Sequence, residues 1–273
     1  MTSSSSIRRA ATRHHDPPLP QRSARLVGWF TRYCRWYVGR HFHSVRLAGE
    51  GAPLLDPAQP LVVYVNHASW WDPLLCLFAS NRFFPGRAGF APIDAAMLER
   101  YRFFAKLGFF GVEQQSTRGA ARFLRTAEAI LGQPNTALWL TPEGRFTDPR
   151  QRPVRFKPGL GHLAARLTRA TLVPLAVELT FWEERTPEAL LLFGQPVEVV
   201  PGEVRTADEW TTLLERRLEA ALDSLARLAQ QREPAAFTTL LRGGAGVGGV
   251  YDLWRRGRAW LRGESFNPSH GDQ

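Results

Sequence analysis

The feature that most constrains this chain is the apolar run Leu61-Val62-Val63-Tyr64-Val65 and the segment after it, Asn66-His67-Ala68-Ser69-Trp70-Trp71-Asp72-Pro73. The run has the length and β-branched content of a short buried strand. Asp72 reads as a helix N-cap and Pro73 as a first-turn proline, so a helix is predicted to begin there. His67 then stands at the end of the strand and Asp72 at the start of the helix. On one continuous helix a five-residue spacing turns two side chains apart. Across a strand-loop-helix corner they can converge. A carboxylate on one imidazole nitrogen fixes the tautomer and leaves the other nitrogen free as a base. No serine or cysteine nucleophile is obvious beside the pair, which points to a base that activates a hydroxyl supplied by a substrate. The same spacing also fits a surface pair or a simple cap, and other segments have to decide between them.

Those segments come from the pattern along the chain. Residues 1–21 are Ser-, Arg- and Pro-rich with no apolar core, which reads as a disordered basic tail rather than a signal peptide. Residues 22–43 read as an amphipathic helix, with Leu26, Trp29, Phe30, Tyr33, Trp36, Tyr37 and Phe42 at helical spacing and five arginines interspersed. Aromatic rings and guanidinium groups suit a bilayer interface. A helix packed on the core with a basic outer face has the same pattern, and both readings stay open. Residues 44–232 read as a single catalytic domain. Strands are predicted at Val45–Ala48, Leu61–Val65, Ala88–Ala91, Phe109–Val112, Thr136–Leu140, Leu172–Thr180 and Ala189–Phe193. Helices are predicted at Asp72–Ser80, Asp94–Leu107, Thr117–Leu131, to about Arg169 after the basic loop 150–161, and at Thr206–Gln230. This alternation indicates an α/β fold with a mixed or mainly parallel sheet flanked by helices. Residues 233–273 read as a Gly-rich linker and a basic aromatic segment, Tyr251 to Arg262, which is either a second interfacial anchor or a solvated tail helix.

Composition narrows the partners. The chain has 273 residues, enough for one large α/β domain with appendages. A formal net charge of +10 favours anionic partners: a membrane surface, nucleic acid or acidic small molecules. No recognised nucleic-acid motif appears, so nucleic acid is not expected. The cations are almost all arginine; lysine occurs only at Lys106 and Lys157. Cys34 and Cys76 have neither metal-ligand spacing nor a disulfide framework, and no metal site is expected. No stretch approaches the ~20 apolar residues of a membrane span.

Four segments line up along residues 45–200: Asn66-His67 to Asp72; Gly108-Phe109-Phe110-Gly111-Val112-Glu113-Gln114; Thr141-Pro142-Glu143-Gly144-Arg145, with Phe156-Lys157-Pro158-Gly159 behind it; and Leu172-Val173-Pro174-Leu175. In order and spacing they resemble the glycerolipid acyltransferase family, which includes the 1-acyl-glycerol-3-phosphate acyltransferases. The resemblance implies that His67 is the general base and Asp72 its orienting partner, with Asn66, Lys157 and Pro174 supporting the site. Glu143, Gly144 and Arg145, with Gln114 and Arg118, would shape the acceptor side, and Pro174 the donor side. The implied reaction moves a fatty acyl group from acyl-CoA or acyl carrier protein to a hydroxyl of a lysophospholipid or related lipid. It needs no bound cofactor. The implied setting is peripheral, on the cytoplasmic face of the cell membrane.

Two departures bear on the acceptor. The second segment ends in Gln114 where the family pattern usually has arginine. The third usually reads Glu-Gly-any-Arg, whereas here Arg145 comes one position early and Phe146 takes the usual arginine place. Arg118, Arg145, Arg150, Arg155 and Lys157 are the candidates to restore the charge; otherwise the acceptor lacks a phosphate there. Two further readings remain: a thioesterase or lipid hydrolase that uses the same pair on water, and a non-catalytic basic membrane-binding protein.

Overall fold

The structure is a computed structural model, and it describes residues 19–244. Basic residues 1–18, the Gly-rich stretch and the aromatic C-terminal segment read from the sequence lie outside the described residues.

The strand Leu61–Val65 (β2) sits inside a nine-stranded mixed sheet. It pairs in parallel with Thr136–Leu140 (β5) on one side and with Ala170–Thr180 (β6) on the other. Ala88–Asp94 (β3) and Phe109–Val112 (β4) extend the parallel part beyond β5. On the other flank Glu188–Phe193 (β7) runs antiparallel to β6 and parallel to Ser44–Ala48 (β1). Phe237–Arg242 (β9) closes that edge antiparallel to β1. The short strand Val197–Val199 (β8) pairs with the start of β6.

All five residues of β2 are buried, which is why its sequence shows no polar alternation. Leu61, Val63 and Val65 face a core layer built with Cys34 and Val38 of helix α1 (Ala24–His41) and Leu75 and Phe78 of helix α2 (Asp72–Phe83). Val62 and Tyr64 face the opposite layer. That layer is formed by Ile130 of α5 (Thr117–Leu131), Leu163 of α6 (Gly159–Ala164), and Leu214 and Leu218 of α7 (Ala207–Gln231). The mixed sheet with helices on both faces is the architecture the alternation predicts.

Several elements differ from their predicted extents. The single helix predicted over Asp94–Leu107 is two pieces, α3 (Ala95–Arg100) and α4 (Phe103–Leu107). Asp94 caps the first by accepting from the amides of Ala96 and Met97, and the chain leaves helical geometry at Tyr101. Helix α6 stops at Ala164 rather than near Arg169, because β6 already begins at Ala170. Residues 237–242, read as part of the linker, form the edge strand β9. Strand β8 is not anticipated at all. Helix α7 follows its prediction closely, and Thr206 and Glu209 form a reciprocal capping box at its start.

Candidate functional site

Strand β2 ends in a buried side chain that imitates backbone. Asn66 Nδ2 donates to the Val177 carbonyl at 2.9 Å, and Asn66 Oδ1 accepts from the Val177 amide at 2.8 Å. The amide side chain thus extends the ladder to β6 while the main chain turns away. His67 is the first residue past that turn.

Helix α2 starts one residue earlier than a cap at Asp72 requires. Trp71 is the cap residue, with helical dihedrals and no side-chain capping bond, and Pro73 lies in the first turn. Asp72 is therefore inside the helix, and its carboxylate turns back over the corner. Oδ2 lies 2.8 Å from His67 Nδ1 and accepts from the Ser69 amide at 3.0 Å; Oδ1 accepts from the Ser69 hydroxyl at 3.1 Å. Asp72 is only 1% exposed. A carboxylate can only accept, so this contact puts the proton of a neutral imidazole on Nδ1. His67 Nε2 makes no hydrogen bond among the described residues, and the side chain is 22% exposed. Trp71 packs behind the corner against Tyr37, His41 and Phe42 of the α1 region, while Trp70 is open to solvent.

The loop after β5 grips the same histidine from the other side. Glu143 Oε2 accepts from the His67 amide at 2.6 Å, and the Thr147 amide donates to the His67 carbonyl at 2.8 Å. The Phe146 ring lies 4.4 Å from the imidazole, centroid to centroid, and remains 61% exposed. Burial pushes the Glu143 carboxyl above its ordinary pKa, against the opposing pull of the His67 amide and ring and the Thr147 hydroxyl. Between Glu143 and Phe146, Gly144 has φ +63, and a β-carbon there would stand 2.6 Å from Lys157 Cε. The lysine stem crosses the bare face of this glycine. Lys157 Nζ then donates to Gln114 Oε1 at 3.0 Å, just beyond β4. The Gly144 amide is engaged with the Thr141 carbonyl at 3.1 Å, whereas the amides of Arg145 and Phe146 have no partner among the described residues.

Seven of the residues singled out in the sequence meet here: Asn66, His67, Asp72, Glu143, Gly144, Lys157 and Gln114. Three stand apart. Arg145 is exposed and its side chain makes no hydrogen bond or ion pair among the described residues; the same holds for Arg118 in the first turn of α5. Pro174 is buried in the sheet, in register with Tyr64. It sits where the second edge of β6 is interrupted, between its pairings with β7 and β8, and its carbonyl accepts from Gly194 at 2.9 Å. A residue without an N–H fits such a break. Sequence reasoning missed Ser69 and Thr147. Ser69 has a signal, an Ser-x-x-Asp spacing before an apolar run, but the bonds run to the aspartate rather than from it. Among the described residues, no group of three or more His, Cys, Asp or Glu side chains could hold a metal ion.

Two outcomes follow from this geometry. Replacing Asn66 by alanine leaves the Val177 amide and carbonyl unpaired in the core, at a cost of about 1–3 kcal/mol per group; urea unfolding measures it, and a change within error of zero would contradict the bridging role. Glu143 titrates with a raised folded pKa, so its contribution to stability is full below the ordinary value of 4.5. It is lost as pH rises through the raised value. The parent protein should therefore lose stability relative to Glu143→Gln as pH rises above 4.5, and a constant difference would contradict it.

Comparisons with known proteins match the part of the chain that carries this site. The acyltransferase family model matches residues 46–178, a span that holds β2, the His67–Asp72 corner, the Glu143 loop and Lys157. No curated protein matches in sequence. Among solved structures, the chain is similar to the crystal structure of the 1-acyl-sn-glycerophosphate (LPA) acyltransferase PlsC from Thermotoga maritima. The TM-score is 0.52 at 15% identity, covering 74% of this chain and 79% of that one. The fold is therefore the one that enzyme has, and residues 46–178 match an acyltransferase domain, which together support an acyltransferase enzyme.

Proposed function

We propose that this acyltransferase moves a fatty acyl group from acyl-CoA or acyl carrier protein to a hydroxyl of a lysophospholipid or related lipid. The observation that carries the proposal is the 2.8 Å contact between buried Asp72 and His67 Nδ1, with His67 Nε2 left unbonded. In this reading Nε2 takes the proton from the acceptor hydroxyl as its oxygen attacks the thioester carbonyl. Asp72 balances the positive charge that builds on the ring. The amides of Arg145 and Phe146, unpartnered among the described residues, are donors on offer to the developing oxyanion. Collapse of the tetrahedral species breaks the carbon–sulfur bond, His67 returns the proton to the sulfur, and an ester and a free thiol leave. General-base catalysis of this kind is worth about 10²–10⁴-fold.

The acceptor reaches the site from a bilayer in this account. Helix α1 presents Trp29 and Trp36 at about 60% exposure, with Tyr33 between them in stacked or tilted contact with both. Arg25, Arg32 and Arg40 share that exposed stripe, three or four residues from Trp29 or Trp36, and make no ion pair among the described residues. Its inner side, Val27, Cys34 and Val38, is buried on the domain. Rings at headgroup depth with arginines on lipid phosphate suit peripheral docking on an anionic membrane, here the cytoplasmic face of the cell membrane. No helix among the described residues is long and apolar enough to cross a membrane.

Free-thiol release from acyl-CoA and acyl carrier protein, with and without a panel of lysolipids, tests the reaction. Acceptor-dependent release that falls by about 10²–10⁴-fold in His67→Ala is expected. Acceptor-independent release, equally dependent on His67, would make the protein a hydrolase instead. Docking is tested by co-sedimentation with anionic vesicles. Changing Arg25, Arg32 and Arg40 together to glutamine should weaken binding by about 1 kcal/mol per arginine at low salt. Binding that survives this change and is insensitive to salt would rule out the basic stripe as the docking surface.

A further inference from the structure

The cations that the sequence offers for the acceptor's headgroup can be sorted by what they touch. Arg150 pairs with Asp148 at 3.2 Å, and Arg155 with Glu215 at 3.5 Å. Arg145 and Arg118 are exposed, and their side chains make no hydrogen bond or ion pair among the described residues. At residue 146, where the family pattern has arginine, a phenyl ring covers the imidazole of His67. Lys157 differs from all of these. Its stem is laid across Gly144, its ammonium is held by the Gln114 carbonyl oxygen, and it makes no ion pair among the described residues.

Resting on the acyl-transfer reading above, we propose that Lys157, positioned by Gln114 and Gly144, is the cation that binds an oxyanion headgroup of the acceptor lipid, in place of the arginines of the two flanking segments. Three observations carry it. First, Gln114 accepts from Lys157 with its oxygen, so its NH₂ group and two remaining ammonium protons are left as donors side by side. This is the donor set a phosphate or carboxylate requires, supplied by a point charge rather than a guanidinium fork. Second, Gly144 lies one residue from Glu143 and two from Phe146, and both of those touch His67. The lysine stem therefore crosses the same loop that grips the base. Third, the chain has 35 Lys and Arg residues, of which only Lys106 and Lys157 are lysine. The stem passes a position where even a β-carbon would collide, so a slender unbranched chain fits there and a planar guanidinium nearby does not replace it by default. Phe146, over the imidazole, then contributes an apolar wall instead of a second positive charge, leaving a single cation for the headgroup.

The two lysines make a direct test possible. In full-length protein labelled with ¹³C at lysine Cε, Lys157 gives one of two lysine signals, assigned by Lys157→Met, and Lys106 serves as the internal control. Titration with a short-chain lysophosphatidate should shift the Lys157 signal and not that of Lys106. The matching short-chain monoacylglycerol, which has the hydroxyls but no anion, should shift neither. Kinetics give the second arm. With saturating acyl-CoA, Lys157→Met should raise KM for lysophosphatidate by about 10- to 100-fold, the worth of one charge-assisted hydrogen bond. The rise should be larger for lysophosphatidate than for the monoacylglycerol, and Lys157→Arg should recover part of it. No selective shift, or a KM increase equal for both acceptors, overturns the assignment. A selective Lys157 shift in a protein that transfers no acyl group to any lipid would sink the transferase reading while leaving the anion site standing.

Discussion

The site depends on how the central strand ends. Strand β2 is paired on both edges and buried on both faces, so it has no freedom to drift. Its last side chain, Asn66, takes over the work of a backbone amide and closes the ladder to Val177. Everything chemical lies immediately past that closure. The chain turns, His67 emerges at the sheet's end, and five residues later helix α2 begins with its first carboxylate aimed backwards. A site built at the exit of a rigid strand is positioned by the sheet rather than by loop contacts. That rigidity lets two loops far apart in sequence meet one histidine.

Two buried carboxylates hold His67, and they do different things. Asp72 binds the ring and Glu143 binds the backbone amide. Asp72 is satisfied three times, by the imidazole and by both donors of Ser69, which offsets the cost of sealing a charge from water. Burial instead raises the pKa of Glu143, the sign of a carboxylate whose partners do not fully repay desolvation. The two contacts divide the work: Asp72 holds the ring and Glu143 the backbone. Phe146 and Gly144 follow from the second grip. Once Glu143 and Thr147 clamp the loop to His67, the residues between them must pass close to the imidazole. The one that crosses Lys157 has to lack a β-carbon.

Much of this was legible in the sequence, and the parts that were not share a cause. The β2 run, β4, α5 and β5 carry strong local signals, and the four ordered segments marked the His67–Asp72 corner, its partner loop and the acyltransferase resemblance. Local propensity cannot show edge strands such as β8 and β9, which exist because a neighbour offers an unpaired edge. The role expected of Asp72 as a cap was a local inference that tertiary structure overrode, since Trp71 is the cap, the helix starts at Asp72 and the carboxylate has a better use. The same holds for charge. The sequence could only enumerate cations near the acceptor side. The fold separated Arg118 and Arg145, which are left in solvent, from Lys157, whose bond to Gln114 spans 43 residues. Pro174 kept its place in the pattern but proved to be a sheet residue at a break in pairing.

The claim at the centre of this account is that Asp72 imposes one tautomer on His67, with the proton on Nδ1 and a bare Nε2. Nitrogen-15 spectroscopy of the His67 imidazole in the full chain, above the pH at which the ring is protonated, reads that directly. The account predicts a protonated Nδ1 and an unprotonated Nε2, with the preference lost or averaged in Asp72→Asn. A proton on Nε2 in the parent protein, or a tautomer indifferent to Asp72→Asn, would contradict it.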